Sequence, residues 1–114
     1  MLERSVDKRF TKGLKKMSLT SIKLTAFGAM GEAGWPDRLV LCPAGQAIFV
    51  ELKKPGGKAT PLQKARQRVL AGLGFGVGTF DNADEALEFV RVLVEFHHVL
   101  GAVGRRQRGP ACRL

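Results

Sequence analysis

Two β-rich runs, "DRLVLC" at 37–42 and "QAIFVELK" at 46–53, are separated only by Pro43, Ala44 and Gly45. A three-residue loop with Gly at its last, left-handed position closes a hairpin, and the length of a hairpin loop fixes strand register. Pairing Cys42 with Gln46 sets Leu41 opposite Ala47, Leu39 opposite Phe49 and Asp37 opposite Glu51, to within the one residue that a bulge would add. Directly opposed side chains of an antiparallel pair share a face, with Cβ atoms about 5 Å apart. Lys53 lies two residues past Glu51 and so points to that face as well. An apolar hairpin therefore carries two facing carboxylates and an amine at its open end.

The flanking sequence supplies helices. Val6, Phe10, Leu14 and Met17 follow a spacing of four, four and three, which predicts an amphipathic helix over 2–17 with basic residues on its other faces. Glu3 falls on the same inward stripe, where an unpaired carboxylate is costly. "SIKLT" at 21–25 alternates as a strand, and "AFGAMGEAG" after it is a Gly-rich loop, read as mobile. Past the hairpin, Thr60 is an N-cap with Pro61 at the first helical position, Gln63 three residues after the cap and Gly74 as the stop. "FGVGTF" at 75–80 is a short strand; Asn82 and Glu85 open a last helix that is apolar on more than one face. The order helix, strand, hairpin, helix, strand, helix predicts an α/β protein with a central sheet flanked by helices. The expected domain is 1–104, followed by a disordered basic tail at 105–114.

A chain of 114 residues suits one domain. Lys and Arg number 19 against 10 Asp and Glu, a net charge of +9 that favours nucleic acid or an anionic surface. The longest apolar region is broken by Arg91, Glu95 and His97–His98, too polar for a membrane span, and no apolar signal core follows the N-terminus. A soluble, cytoplasmic protein is expected. Cys42 and Cys112 suggest neither a disulfide framework nor a zinc site. His97 and His98 read as packing or interface residues, and "GFGVG" lacks the strand-turn-helix context of a dinucleotide loop.

Asp37 and Glu51 on one sheet face repel unless a cation lies between them. Mg²⁺ or Mn²⁺ suits such a pair, because Mg²⁺ takes oxygen ligands and keeps waters that phosphate oxygens can replace. Lys53 would add an ammonium for orienting water or for offsetting charge on a phosphoryl group. The plain alternative is a cross-strand salt bridge at an exposed sheet end. Lys54 and Lys58, beside the site, are the leading DNA-binding candidates, with Lys12, Lys15, Lys16, Lys64, Arg66 and Arg68 as further cations. The loop 55–60, "PGGKAT", is a candidate for movement on substrate binding.

These residues resemble a known pattern. "GWPDRLVL…FVELKK" is similar to the PD-(D/E)XK nuclease motif, with Pro36-Asp37 as its first half and Glu51-Leu52-Lys53 as its second. Glu3 on the first helix, the "KLT" strand, "FVELKKPGGKATPLQ" and "GLGFGVGTFDNADEALEF" extend the likeness over about residues 2–90 to the VRR-NUC family. The resemblance implies a restriction-endonuclease-like core with a mixed sheet. It implies metal binding by Asp37, Glu51 and the Leu52 backbone carbonyl, a catalytic Lys53, and supporting roles for Glu3 and Gln63. It further implies a metal-dependent endonuclease acting on branched DNA such as Holliday junctions, of phage or bacterial type. Cutting a four-way junction twice favours a homodimer, and the last helix is the expected contact. A non-catalytic DNA-binding module, or an accessory protein docking through its last helix, are the competing readings.

Overall fold

The computed structural model describes residues 3–24 and 33–107; the side chains of His98 and of residues 100–107 lie outside that description, as do residues 26–32 of the expected mobile loop. Helix α1 (Glu3–Lys16) leads to strand β1 (Thr20–Lys23), then β2 (Arg38–Leu41), β3 (Ala47–Leu52), helix α2 (Pro61–Gly72), β4 (Gly76–Phe80) and the long helix α3 (Ala83–Gln107). The sheet order is β1-β2-β3-β4. β1 with β2 and β2 with β3 are antiparallel, whereas β3 and β4 are parallel, so the sheet is mixed.

The hairpin holds the register its loop dictates. Leu39 pairs with Phe49 and Leu41 with Ala47, and Cys42 N–H donates to the Gln46 carbonyl at 2.9 Å. Gly45 is left-handed at φ 76°, and Ala44 joins it at φ 60°. Without a second glycine, the tight reversal forces one L-residue into that region.

Period-two alternation divides the sheet into two faces. Val40, Ile48, Val50 and Leu52 point to one face and are buried with Val6, Phe10 and Leu14 of α1 and Ala86 and Val90 of α3. Burying a side chain of this size contributes about 1.5–3 kcal/mol relative to exposing it, so this layer is the core. α3 approaches β4 closely because Gly76 leaves room: a Cβ there would sit 2.5 Å from a Leu93 methyl. The other face carries Phe49, which meets Phe75 edge-on at 5.2 Å, and Thr79, whose hydroxyl accepts from Gln67 of α2 at 2.6 Å. α2 thus covers the face on which Asp37, Glu51 and Lys53 project, while α1 and α3 cover the reverse.

Two features depart from the sequence reading. Glu3 is exposed, not buried on the apolar stripe. Burial on α1 begins at Val6, because Glu3, Arg4 and Ser5 form a first turn that ends in solvent, where the carboxylate favours the helix N-terminus. α3 also continues through Arg105, Arg106 and Gln107, past the expected boundary at 104; residues 108–114 lie outside the description.

Candidate active site

The site forms where β2 begins and β3 ends. Asp37 immediately precedes β2, and its Oδ2 accepts from Leu52 N–H at 3.0 Å. The Asp37 carbonyl accepts from Leu24 N–H at 2.8 Å, so its backbone and side chain are fixed from opposite sides. Upstream, Arg66 of α2 donates to the Ala33 carbonyl at 3.2 Å and sits 4.8 Å from the Trp35 ring centroid. Gly34, at φ 90°, allows that contact, since a Cβ there would lie 2.6 Å from Leu62 Cγ. The Gly-Trp-Pro segment is therefore clamped onto α2, and it delivers Asp37 to the sheet.

Glu51 is 2% exposed and is the one buried charged residue among those described. Lys53 Nζ lies 3.4 Å from its Oε2, and Gln63 donates to the same oxygen at 3.3 Å. Oε1 is buried and has no partner among the described residues. Burial pushes the Glu51 carboxyl up to about 8; the facing Asp37 adds to this through its charge and a hydrogen bond between the carboxyls, and Lys53 opposes it. With both carboxyls ionised, Oε1 lacks a donor. A shared proton or a divalent cation would satisfy it.

Gln63 serves the helix and the site together. Its Oε1 accepts from Thr60 N–H at 2.9 Å while Thr60 Oγ1 accepts from Gln63 N–H at 3.2 Å, a reciprocal capping box. The remaining amide hydrogens reach Glu51. Gln63 thus caps α2 and contacts Glu51 with the same side chain.

Sequence reading missed a clamp on the reverse face. Arg38, next to Asp37, donates from Nε and Nη2 to the two Asp7 oxygens, each at 2.8 Å, and from Nη1 to Ser21 Oγ at 3.4 Å. This fork ties α1 to the start of β2. Its sequence signal was weak: an acid at the margin of an apolar helical stripe, with no local partner.

The other expected residues sit apart. Glu3 makes no hydrogen bond or ion pair within the described residues and is one helical turn beyond Asp7. Lys54, Lys58 and Lys64 are exposed, and their side chains make no hydrogen bond or ion pair among the described residues. The loop after β3 is held by Gly57 N–H on the Lys54 carbonyl and Gly56 N–H on Asp81, at 2.8 and 3.0 Å. His97 is half-buried beside an apolar groove with Val94 and Val99; the His98 side chain lies outside the description. No group of three or more His, Cys, Asp or Glu side chains converges among the described residues.

A phage protein identifies this arrangement. "Putative nuclease p44" of Acyrthosiphon pisum secondary endosymbiont phage 1 is 39% identical over 82 residues, covering 72% of this chain and 85% of its own. Two solved structures described as VRR_NUC domains share the fold, with TM-scores of 0.67 and 0.64 at 23% identity. They cover 78% and 80% of this chain, and 94% and 86% of theirs. The chain belongs to the VRR-NUC nuclease family. No family model matches. The VRR-NUC fold accounts for the mixed sheet between helices, a restriction-endonuclease-like α/β core. No helix among the described residues is long and apolar enough to cross a membrane.

Proposed function

We propose that the chain is a Mg²⁺- or Mn²⁺-dependent endonuclease that hydrolyses DNA phosphodiesters, selecting branched structure over sequence. The observation that carries the reading is the buried Glu51 Oε1 without a donor, beside Asp37 and Lys53. An ordinary cross-strand salt bridge gives no reason to bury one carboxylate against another. Asp37, Glu51 and the Leu52 carbonyl fit a hard divalent ion in donor type, since all three offer oxygen. Such an ion, when bound, lowers the pKa of water and offsets charge on phosphoryl oxygens.

The chain's own groups do the rest. Gln63 holds Glu51 by Oε2, which leaves Oε1 without a donor. Lys53, anchored on Glu51 but partly exposed, presents an ammonium where negative charge grows on the phosphorus oxygens as water attacks and the P–O bond breaks. Lys54, Lys58 and Lys64 would hold flanking phosphates, and Glu3 would assist from the first turn of α1. Paired incisions in a junction call for two sites, and Val92, Phe96 and Val99, exposed at helical spacing on α3, offer a two-fold homodimer contact. The setting would be the cytoplasm of a bacterial host.

The test is cleavage of end-labelled four-way junction, 5′ flap, single strand and matched duplex with Mg²⁺, Mn²⁺ or EDTA, by wild type and Lys53→Ala. Metal-dependent cutting lost in the variant is expected, with the junction preferred. Tight binding with no cutting in either metal would mean a non-catalytic DNA-binding module.

A further inference from the structure

α1 carries a ladder of like charge. Arg4, Lys8, Lys12 and Lys16 recur every four residues, with Lys15 beside them, and all five are exposed. None has an acidic partner among the described residues; of the helix's outward cations only Arg9 does, facing Asp84 at 3.7 Å. Like charges at this spacing destabilise a helix by about 0.2–0.5 kcal/mol per pair. Lys15 and Lys16 gain from the helix C-terminus, but Arg4 and Lys8 lie toward the N-terminus, where a cation is unfavourable. A merely solvated face would not need them in register.

The ladder borders a cleft of about 350 Å³ between α1 and β1, lined by Leu14 and Leu19 as well as by Thr11, Lys15, Thr20, Ser21 and Arg38. The Thr11 hydroxyl donates to the Lys8 carbonyl at 3.1 Å, so Thr20 and Ser21 are the hydroxyls able to donate, and Arg38 is neutralised by Asp7, which leaves Lys15 as the net charge. Hydroxyls beside a free ammonium suit a phosphate. An anionic membrane suits the face poorly, because the apolar side of α1 is spent in the core: Val6 and Phe10 are 0% exposed and Leu14 1%.

We propose that the outer face of α1 and the α1–β1 cleft form a second docking track, which grips the phosphate backbone of a DNA duplex arm away from the cut. Arg4 to Lys16 spans about 18 Å at helical rise, or about five base-pair steps at 3.4 Å each. The track lies on the sheet face opposite Glu51. Asp37 and Arg38 are consecutive and point to opposite faces, so DNA leaving the site would pass the edge strand β1 to reach it. This inference rests on the nuclease reading only in taking DNA as the partner.

The experiment measures affinity for a labelled 20-base-pair duplex in EDTA against salt, for wild type, Lys8→Gln/Lys12→Gln/Lys15→Gln and Arg91→Gln. Arg91→Gln removes one cation on α3, away from the track, and gives the effect of a single lost charge. The triple variant should bind at least about tenfold more weakly at 0.1 M salt, with the slope of log K on log salt smaller by about 2 to 3, while Arg91→Gln binds nearly as wild type. Equal affinity and slope for the triple variant and Arg91→Gln would overturn the proposal. So would loss of binding to phosphatidylserine vesicles with duplex binding intact. A wild type that binds in this way and never cuts would refute the nuclease reading alone.

Discussion

Gln63 donates to Glu51 at 3.3 Å while its own carbonyl oxygen holds the N-cap of α2. One side chain thus couples the start of a helix to the orientation of a buried carboxylate. Removing the two roles separately should give different signatures. Thr60→Ala loses the hydroxyl acceptor and should cost about 1 kcal/mol of stability, with a modest loss of activity. Gln63→Ala should lower kcat further for a similar stability loss. Equal kcat in the two variants, by steady-state cleavage and denaturant unfolding, would leave Gln63 with a capping role alone.

Glu51 should make metal-free stability depend on pH. Its folded value is about 8, above the ordinary 4.5 of the unfolded chain, so between these values the folded state holds the extra proton. The stabilisation is full below about pH 4.5 and is lost as pH rises through about 8. Glu51→Gln should therefore gain in melting temperature relative to wild type between pH 5 and pH 9, in EDTA. A constant difference across that range would contradict the raised value.

Metal binding at neutral pH should release protons, because a divalent ion requires ionised carboxylates. Calorimetry of Mn²⁺ binding at pH 7 in two buffers of different ionisation heat should show release approaching one proton in wild type, and little in Glu51→Gln. Identical heats in both buffers would indicate that Glu51 is already ionised.

Lys53→Ala should reduce cleavage by about 10²–10³-fold, the cost of removing one preorganised donor to developing charge, with duplex affinity almost unchanged. Single-turnover cleavage and binding in EDTA separate these quantities. An affinity loss matching the loss of rate would make Lys53 a binding residue instead.

Asp7→Ala should weaken the fold through Arg38. A hydrogen bond to a charged group contributes about 1.5–3 kcal/mol, and the partial exposure of this pair, 14% and 22%, places the expected loss at the lower end. Urea unfolding measures it. A change below about 0.5 kcal/mol would show that core packing alone holds α1 on β2.

The hairpin was legible because its information is local. A three-residue loop leaves one register, and alternation then places Asp37, Glu51 and Lys53 on one face, as β2 and β3 do. The capping box of α2 was legible for the same reason, since Thr60 and Gln63 are three residues apart. Glu3 marks the limit of such reasoning: helical periodicity gives its angle around α1, but only the position of the sheet along the helix decides that burial starts at Val6. Tertiary structure alone decided the Arg38–Asp7 fork, whose partners are 31 residues apart, and the docking of Trp35 on Arg66. It also decided that α2 would cover the carboxylate face, which makes Glu51 a buried acid with a raised pKa. Sequence fixes which atoms share a face; burial depends on what the chain later brings across it, and burial sets the proton affinity.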